Sequence, residues 1–167
     1  MASTLPILPR LLFTVVEPIS LLVGAGATTF DTTNFVTSQL PHTSQNAASY
    51  VLTPSSRMLA YQLGNMFGLV GLVGTCVLYT TNEPKVVRNF LIACAVGDIG
   101  HLAAVFSVMG FQDFVDVSSW NALAWGSIGF TTFLLVCRAA YLAGLFGEDE
   151  FAQVETQDAR SFKEKTK

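Results

Sequence analysis

Charged side chains are scarce in this chain of 167 residues. Only 13% of the residues are Asp, Glu, Lys or Arg, whereas 51% are hydrophobic. A soluble domain normally carries about a quarter charged residues, and the mean hydropathy of this chain is +0.48. The chain has no run of basic residues and its net charge is −3, which excludes nucleic-acid binding. The composition therefore favours an integral membrane protein.

Cysteine is also rare. Cys76, Cys94 and Cys137 all lie in apolar segments, their number is odd, and no Cys-x-x-Cys pattern occurs. A disulfide framework and a zinc-finger site are both excluded by this pattern. We interpret the three cysteines as small apolar packing residues.

Four apolar segments are each long enough to cross a bilayer, for which about 20 helical residues are needed. They lie at residues 8–30, 57–81, 86–111 and 121–146. The sequence therefore predicts an all-α fold, an integral membrane four-helix bundle formed by residues 1–147, followed by a polar tail at 148–167. Arg10 and the apolar run after it also resemble a cleaved signal peptide, but Glu17 and Pro18 interrupt that run, so we expect the first span to remain.

Basic residues give the expected orientation of the four spans. Arg10, Lys85 and Arg88 flank the membrane on the side that both termini share, whereas the opposite side has Arg57. Both termini and the tail are therefore expected to be cytosolic. The chain ends in Lys163-Glu164-Lys165-Thr166-Lys167, which resembles the lysine-based signal that retrieves membrane proteins to the endoplasmic reticulum. We expect a multi-pass protein of that membrane.

Glycine recurs along the second span, at Gly64, Gly68, Gly71 and Gly74. Small residues at such spacings allow helix backbones to approach closely in lipid. We interpret these glycines as packing positions without a chemical role.

Ionisable residues within the spans are the candidates for function, because burying them in a membrane is costly. With a rise of about 1.5 Å per residue, Glu17 and Arg138 both fall roughly 13 Å from the cytosolic face. We expect them to form an ion pair, either structural or within a site.

A second polar set is expected nearer the lumen. Asp98 and His101 share one face of the third span, and Gln62 and Asn65 have the same spacing on the second span. A carboxylate and an imidazole can hold or pass a proton, and carboxamides can orient a water or a substrate oxygen. The alternative is a polar network that fixes helix register. No second His or Cys is expected at this depth, so we predict no metal and no cofactor.

The residues with predicted site roles fall into two groups. The predicted catalytic residues are Asp98, His101, Asn65, Gln62 and Glu17. The predicted substrate-binding residues are Trp125, Asn121 and Arg138, and Asn121 is also expected to cap the fourth span.

Several short motifs resemble those of a fungal family of small four-helix membrane proteins, most of which carry only a domain of unknown function. These motifs are Glu17-Pro18, Gln62-Leu63-Gly64-Asn65, Gly97-Asp98-Ile99-Gly100-His101, Trp120-Asn121, Trp125-Gly126 and Arg138. The resemblance covers nearly all of the chain except the tail. Some members of the family lie in secondary-metabolite clusters and are proposed to be hydrolases of epoxidised polyene polyketides.

The resemblance and the polar residues together suggest a cofactor-independent membrane enzyme of fungal secondary metabolism. It would open an epoxide in a lipophilic polyketide or terpenoid, by hydrolysis or cyclisation, and isomerisation remains an option. Its expected partners are a lipophilic small-molecule substrate, membrane lipids and other pathway enzymes in the same membrane. The alternative functions are a non-catalytic lipid-binding or scaffold protein of the endoplasmic reticulum and, with less support from only four spans, a transporter.

Overall fold

The computed structural model describes residues 5–40 and 50–146. These residues form, in chain order, helices α1 (Ile7–Phe30), α2 (Thr32–Thr37), α3 (Pro54–Thr80), α4 (Pro84–Met109), α5 (Phe111–Val115) and α6 (Ala122–Leu142). No strand occurs in either of the two described ranges. Helices α1, α3, α4 and α6 are each long and apolar enough to cross a membrane, which confirms the four predicted spans. The predicted tail and its lysine signal lie outside the described residues.

Proline and glycine explain why the starts of α3 and α4 and the end of α6 differ from the bounds predicted from the sequence. Helices α3 and α4 begin at Pro54 and Pro84, earlier than the predicted residues 57 and 86, because proline at the first helical position lacks only an N–H that would be unpaired there. Helix α6 ends at Leu142 and not at 146. There Gly144 adopts a φ of +74°, and the N–H groups of Gly144 and Leu145 donate to the carbonyls of Tyr141 and Ala140.

Two of the long helices contain a turn of π-helix. In α1 the wide turn covers Leu12–Val16, directly before Glu17-Pro18. Pro18 has no N–H to donate to the carbonyl of Thr14, and the ring also crowds that carbonyl. The hydroxyl of Tyr79, on α3, donates to the Thr14 carbonyl at 3.3 Å. A second π-helical turn, Trp125–Phe130, lies in α6.

Helices α1 and α3 pack along most of their length. Gly64 lies against Ala25 and Thr28, and Gly71 lies against Pro18 and Leu21. A glycine at these points lets the two backbones approach closely, as expected for helices in lipid. The predicted packing role therefore holds for Gly64, where a side chain would overlap Thr28, whereas Gly71 would make only ordinary contacts and Gly68 faces open space.

The α1/α3 pair and the α4/α6 pair meet mainly at the end of the molecule where α3 turns into α4. A buried cluster there includes Leu5, Phe13, Leu78, Val87 and Tyr141. We call this end the turn end. At the opposite end, Leu40 packs against a smaller cluster of Met109, Ala124 and Ile128 from α4 and α6.

Candidate functional site

Arg138 of α6 is fully buried and binds two carboxylates from two other helices. Its Nη2 donates to Glu17 Oε1 on α1, and its Nη1 donates to Asp98 Oδ2 on α4. The predicted Glu17–Arg138 ion pair is confirmed, and Asp98 is a second partner that the sequence placed elsewhere. We call Glu17, Asp98 and Arg138 the charge trio.

The guanidinium group is enclosed by an aromatic ring as well as by the carboxylates. Its central carbon lies 5.2 Å from the centroid of the Phe13 ring, one turn before Glu17 on α1. A guanidinium over an aromatic face is stabilised electrostatically. Arg138 Nε is buried and has no hydrogen-bond partner among the described residues. Phe13 and the two carboxylates thus fix the position of the cation.

Each carboxylate of the charge trio uses only one oxygen to bind Arg138. Glu17 Oε2 and Asp98 Oδ1 make no hydrogen bond within the described part of the chain. The Glu17 and Asp98 side chains are 13% and 15% exposed, whereas Arg138 is at 0%. The cation is therefore sealed inside the protein, whereas both carboxylate side chains are partly exposed.

The expectation that Asp98 belongs to a separate site nearer the lumen is wrong. It rested on the depth of each backbone position from the cytosolic face, and by that count Asp98 lies about one helical turn deeper than Arg138. A helical side chain leans toward the N-terminus of its own helix, and the long side chain of Arg138 thereby reaches toward Asp98. The interaction joins residues 40 positions apart on antiparallel neighbours.

His101 makes a different contact. It lies on the same side of α4 as Asp98, as predicted, but it forms no ion pair within 4 Å of Asp98. Its Nε2 lies 3.0 Å from Ser127 Oγ and 3.2 Å from the Ser127 carbonyl oxygen, inside the π-helical turn of α6. The carbonyl can only accept, so that contact is a hydrogen bond when Nε2 carries the proton.

The two carboxamides of α3 do not join these groups. Gln62 and Asn65 are exposed and make no hydrogen bond within the described residues. Helix α3 turns its Gly64 and Gly71 face toward α1, and with 3.6 residues per turn this rotates Gln62 and Asn65 away from it. The structure thus gives no contact through which Gln62 or Asn65 would act with Asp98.

The predicted substrate-binding residues of α6 lie near its start, apart from Arg138. Asn121 caps α6, because its Oδ1 accepts from the Ala124 N–H at 2.8 Å, as predicted. Its Nδ2 also donates to the Ser38 carbonyl at 2.9 Å, which ties the segment after α2 to α6. Trp125 is half exposed and stacks edge to face on Trp120, with 5.2 Å between the ring centroids. Asn121 is thus occupied in holding two segments together, whereas Trp125 remains about half exposed.

A small recess lies beside Glu17, between α1, α3 and α4. It measures about 10 Å³, enough for about one water molecule. Its lining includes Glu17, Pro18 and Leu21 of α1, Gly71 and Gly74 of α3, and Phe90 of α4. A space large enough for about one water molecule therefore lies against Glu17.

Sequence reasoning missed three side chains that shape the site. Phe13 could have been found, because it precedes Glu17 by four residues and so shares its helix face. Tyr79 could have been suggested by the carbonyl that Pro18 leaves without its usual donor. Nothing in the sequence singled out Ser127, because its role depends on the π-helical turn of α6.

The described residues contain no group of three or more His, Cys, Asp or Glu side chains that could hold a metal ion. Comparison with curated proteins and with solved structures found no match. A family model does match, over residues 2–148. This match spans the four long helices and every residue of the charge trio, and it shows that the chain belongs to the family described as Domain of unknown function (DUF7704).

Proposed function

We propose that this protein is a membrane-embedded enzyme that opens an epoxide in a lipophilic substrate, with the charge trio as its acid and base. The observation that carries the proposal is one sealed guanidinium that holds two partly exposed carboxyl groups from different helices. The proposal transfers the chemistry expected of Asp98 and His101 to Asp98 and Glu17.

The charge balance of the trio supports a paired acid and base. Two ionised carboxylates against one guanidinium leave a charge of −1 in a region where unbalanced charge is costly. The trio is neutral when it holds one proton, so that one carboxyl group is an acid and the other is a base. Two carboxyl groups in different protonation states can perform complementary proton transfers.

This arrangement can open an epoxide without a cofactor. The protonated carboxyl group donates its proton to the epoxide oxygen while the carbon–oxygen bond breaks. The ionised carboxylate accepts a proton from a water whose oxygen forms the new bond to carbon. The product is a vicinal diol, and the trio still holds one proton, now on the other carboxyl group. If a hydroxyl group of the substrate replaces the water, the product is a cyclic ether.

Arg138 has a fixed role in this scheme. Its guanidinium remains protonated throughout, so it orients both carboxyl groups and balances the charge of the one that is ionised. Gly97, which precedes Asp98, has no atom within 4 Å of the position that a side chain would occupy. A flat, lipid-soluble substrate could therefore approach Asp98 from the membrane.

The four spans, the basic residues and the short motifs of the sequence support a membrane location and a substrate class for this reaction. The four spans support a multi-pass membrane protein, and the basic residues and the lysine-rich end favour cytosolic termini and the endoplasmic reticulum. The motifs resemble those of the fungal family, which suggests an epoxidised polyketide or terpenoid as substrate and other enzymes of its pathway as partners.

One observation favours a second candidate, in which the trio holds the helices together and the protein binds lipid or acts as a scaffold. The trio links α1, α4 and α6, and the recess beside it admits only about one water. A structural ion pair network of this kind needs no substrate pocket.

The test is to express the full chain in microsomes together with its genomic neighbours and to compare products. The variants are Glu17→Gln, Asp98→Asn and His101→Ala, with Glu83→Gln as a matched control on an exposed carboxylate. We expect Glu17→Gln and Asp98→Asn to reduce product by about a hundredfold at equal protein level, because each removes an acid or base. An epoxide precursor should accumulate.

Two other outcomes would favour a structural trio or the Asp98–His101 pair. Unchanged product from both carboxyl variants at equal protein level would establish the structural role. A loss from His101→Ala as large as that from Asp98→Asn, with Glu17→Gln still active, would restore the Asp98–His101 pair as the acid and base.

A further inference from the structure

The four glycines of α3 differ in what surrounds them, and two of them, Gly71 and Gly74, line the recess beside Glu17. A methyl group on Gly64 would overlap the hydroxyl of Thr28 and lie 3.1 Å from its Cβ, whereas one on Gly68 would meet nothing within 4 Å. On Gly71 the methyl group would lie 3.6 Å from Leu21 Cβ and 3.9 Å from the Pro18 carbonyl oxygen, which are ordinary contact distances. Close packing therefore explains Gly64 but does not require a glycine at 71.

Gly71 lines the recess beside Glu17. Leu21 and Pro18, the residues that a methyl group on Gly71 would meet, both line this recess. Its volume of about 10 Å³ is about that of one water and much smaller than any organic substrate. An alanine at position 71 would add a methyl group to the lining of this small volume.

The recess also offers polar partners to a water. Glu17 contributes a carboxyl group whose Oε2 makes no hydrogen bond among the described residues, and the Pro18 carbonyl oxygen lies beside Gly71. A buried water normally needs at least two such partners. The remaining walls, formed by side chains such as Leu21 and Phe90, are apolar and leave a water few other orientations.

We infer that the recess binds the nucleophilic water of the proposed epoxide opening, that Glu17 is the base that activates it, and that Gly71 keeps its place open. This inference rests on the proposed function. It assigns the two carboxyl groups different roles, because only Glu17 borders the recess and Asp98 is then left to protonate the epoxide oxygen.

Two variants with the same chemical change test the inference. Crystal structures of the full chain in a lipid mesophase would be compared for wild type, Gly71→Ala and Gly68→Ala. We expect density for one water within hydrogen-bond distance of Glu17 in the wild type and in Gly68→Ala, and no such density in Gly71→Ala. A wild-type recess that is empty, or a water that persists in Gly71→Ala, would overturn the inference.

Product analysis in the microsome assay separates this inference from the proposed function. We expect Gly71→Ala to lower diol formation at least tenfold relative to Gly68→Ala at equal protein level, with no loss of any product closed by a substrate hydroxyl. If Gly71→Ala forms diol normally while Glu17→Gln does not, the water site is wrong and the proposed acid–base function stands. If Glu17→Gln and Asp98→Asn both remain active, the proposed function itself fails, whatever the recess contains.

Discussion

Arg138 concentrates the electrostatics of the molecule in one residue. A fully buried guanidinium is tolerated because Glu17 and Asp98 supply two charge-assisted hydrogen bonds and Phe13 covers its face. Such a group stabilises a fold only as long as its partners are present. Removing the partners leaves an unpaired buried charge, whereas replacing the whole network by apolar or neutral groups is often neutral for stability.

Variants of the trio should therefore separate stability from activity. The double variant Glu17→Gln/Asp98→Asn leaves Arg138 buried without a counter-charge, and we expect it to lose about 3–5 kcal/mol of unfolding free energy. Adding Arg138→Met removes that charge and should restore most of the loss. Thermal unfolding of the purified protein in a mild detergent measures both effects.

Product formation provides the second readout of the same variants. The triple variant has no acid or base, so we expect it to be stable and to form no product in microsomes. A stable triple variant that still forms product would contradict a catalytic trio. A triple variant no more stable than the double one would show that the packing around residue 138, and not its charge, dominates the site.

The sequence predicted part of the trio and could not predict the rest. Opposite charges at one backbone depth were enough to pair Glu17 with Arg138. Asp98 was assigned elsewhere because depth was counted along the backbone, and the reach of an arginine side chain exceeds one helical turn. His101 was paired with Asp98 on spacing alone, but its Nε2 contacts Ser127 of the facing helix.

At the level of the helices, the two π-helical turns follow a common arrangement. Each contains a carbonyl oxygen in contact with a polar side chain from a neighbouring helix: Thr14 with Tyr79, and Ser127 with His101. In a membrane a backbone carbonyl freed from its helix needs a partner within the protein. The contact of His101 with Ser127 joins α4 to α6 at this turn.

Helix packing gives the second prediction, at Gly64. Because a methyl group there would overlap Thr28 on α1, we expect Gly64→Ala to separate α1 from α3 locally and to cost about 1–3 kcal/mol. Gly68→Ala is the matched control on the same helix and should be neutral or slightly stabilising, since alanine favours helix and nothing lies in its way. Thermal unfolding in detergent compares the two variants.

The result also tests how glycine patterns can be interpreted. If Gly64→Ala and Gly68→Ala change the free energy of unfolding equally, Gly64 is not in close contact with Thr28 of α1. The spacing of Gly64, Gly68, Gly71 and Gly74 predicted a packing face but could not rank its members. Their ranking depends on the rotation of α3 against α1, which regular spacing alone leaves open.

At the scale of the whole molecule, the sequence predicted the number of spans well because apolar length is a strong signal. It could not predict how the helices pair. The α1/α3 and α4/α6 pairs share the buried cluster of the turn end, where Leu5 and Tyr141 lie close to the two ends of the described chain. The start of α1 and the end of α6 therefore lie at the same end of the molecule.

The final prediction concerns which side of the membrane holds that end. Arg10, Lys85 and Arg88 lie near the turn end and Arg57 near the other, so the turn end should face the cytosol.

One short hydrophilic insertion carrying an Asn-Gly-Thr glycosylation acceptor would be placed either after Ser44 or after Gln157. We expect microsomes to glycosylate the first protein and not the second, as judged by a mass shift that a glycosidase removes. The reverse pattern would invert the orientation and place the turn end in the lumen. Three spans separate Ser44 from Gln157 and place them on opposite sides of the membrane, so glycosylation at both positions would contradict a single orientation.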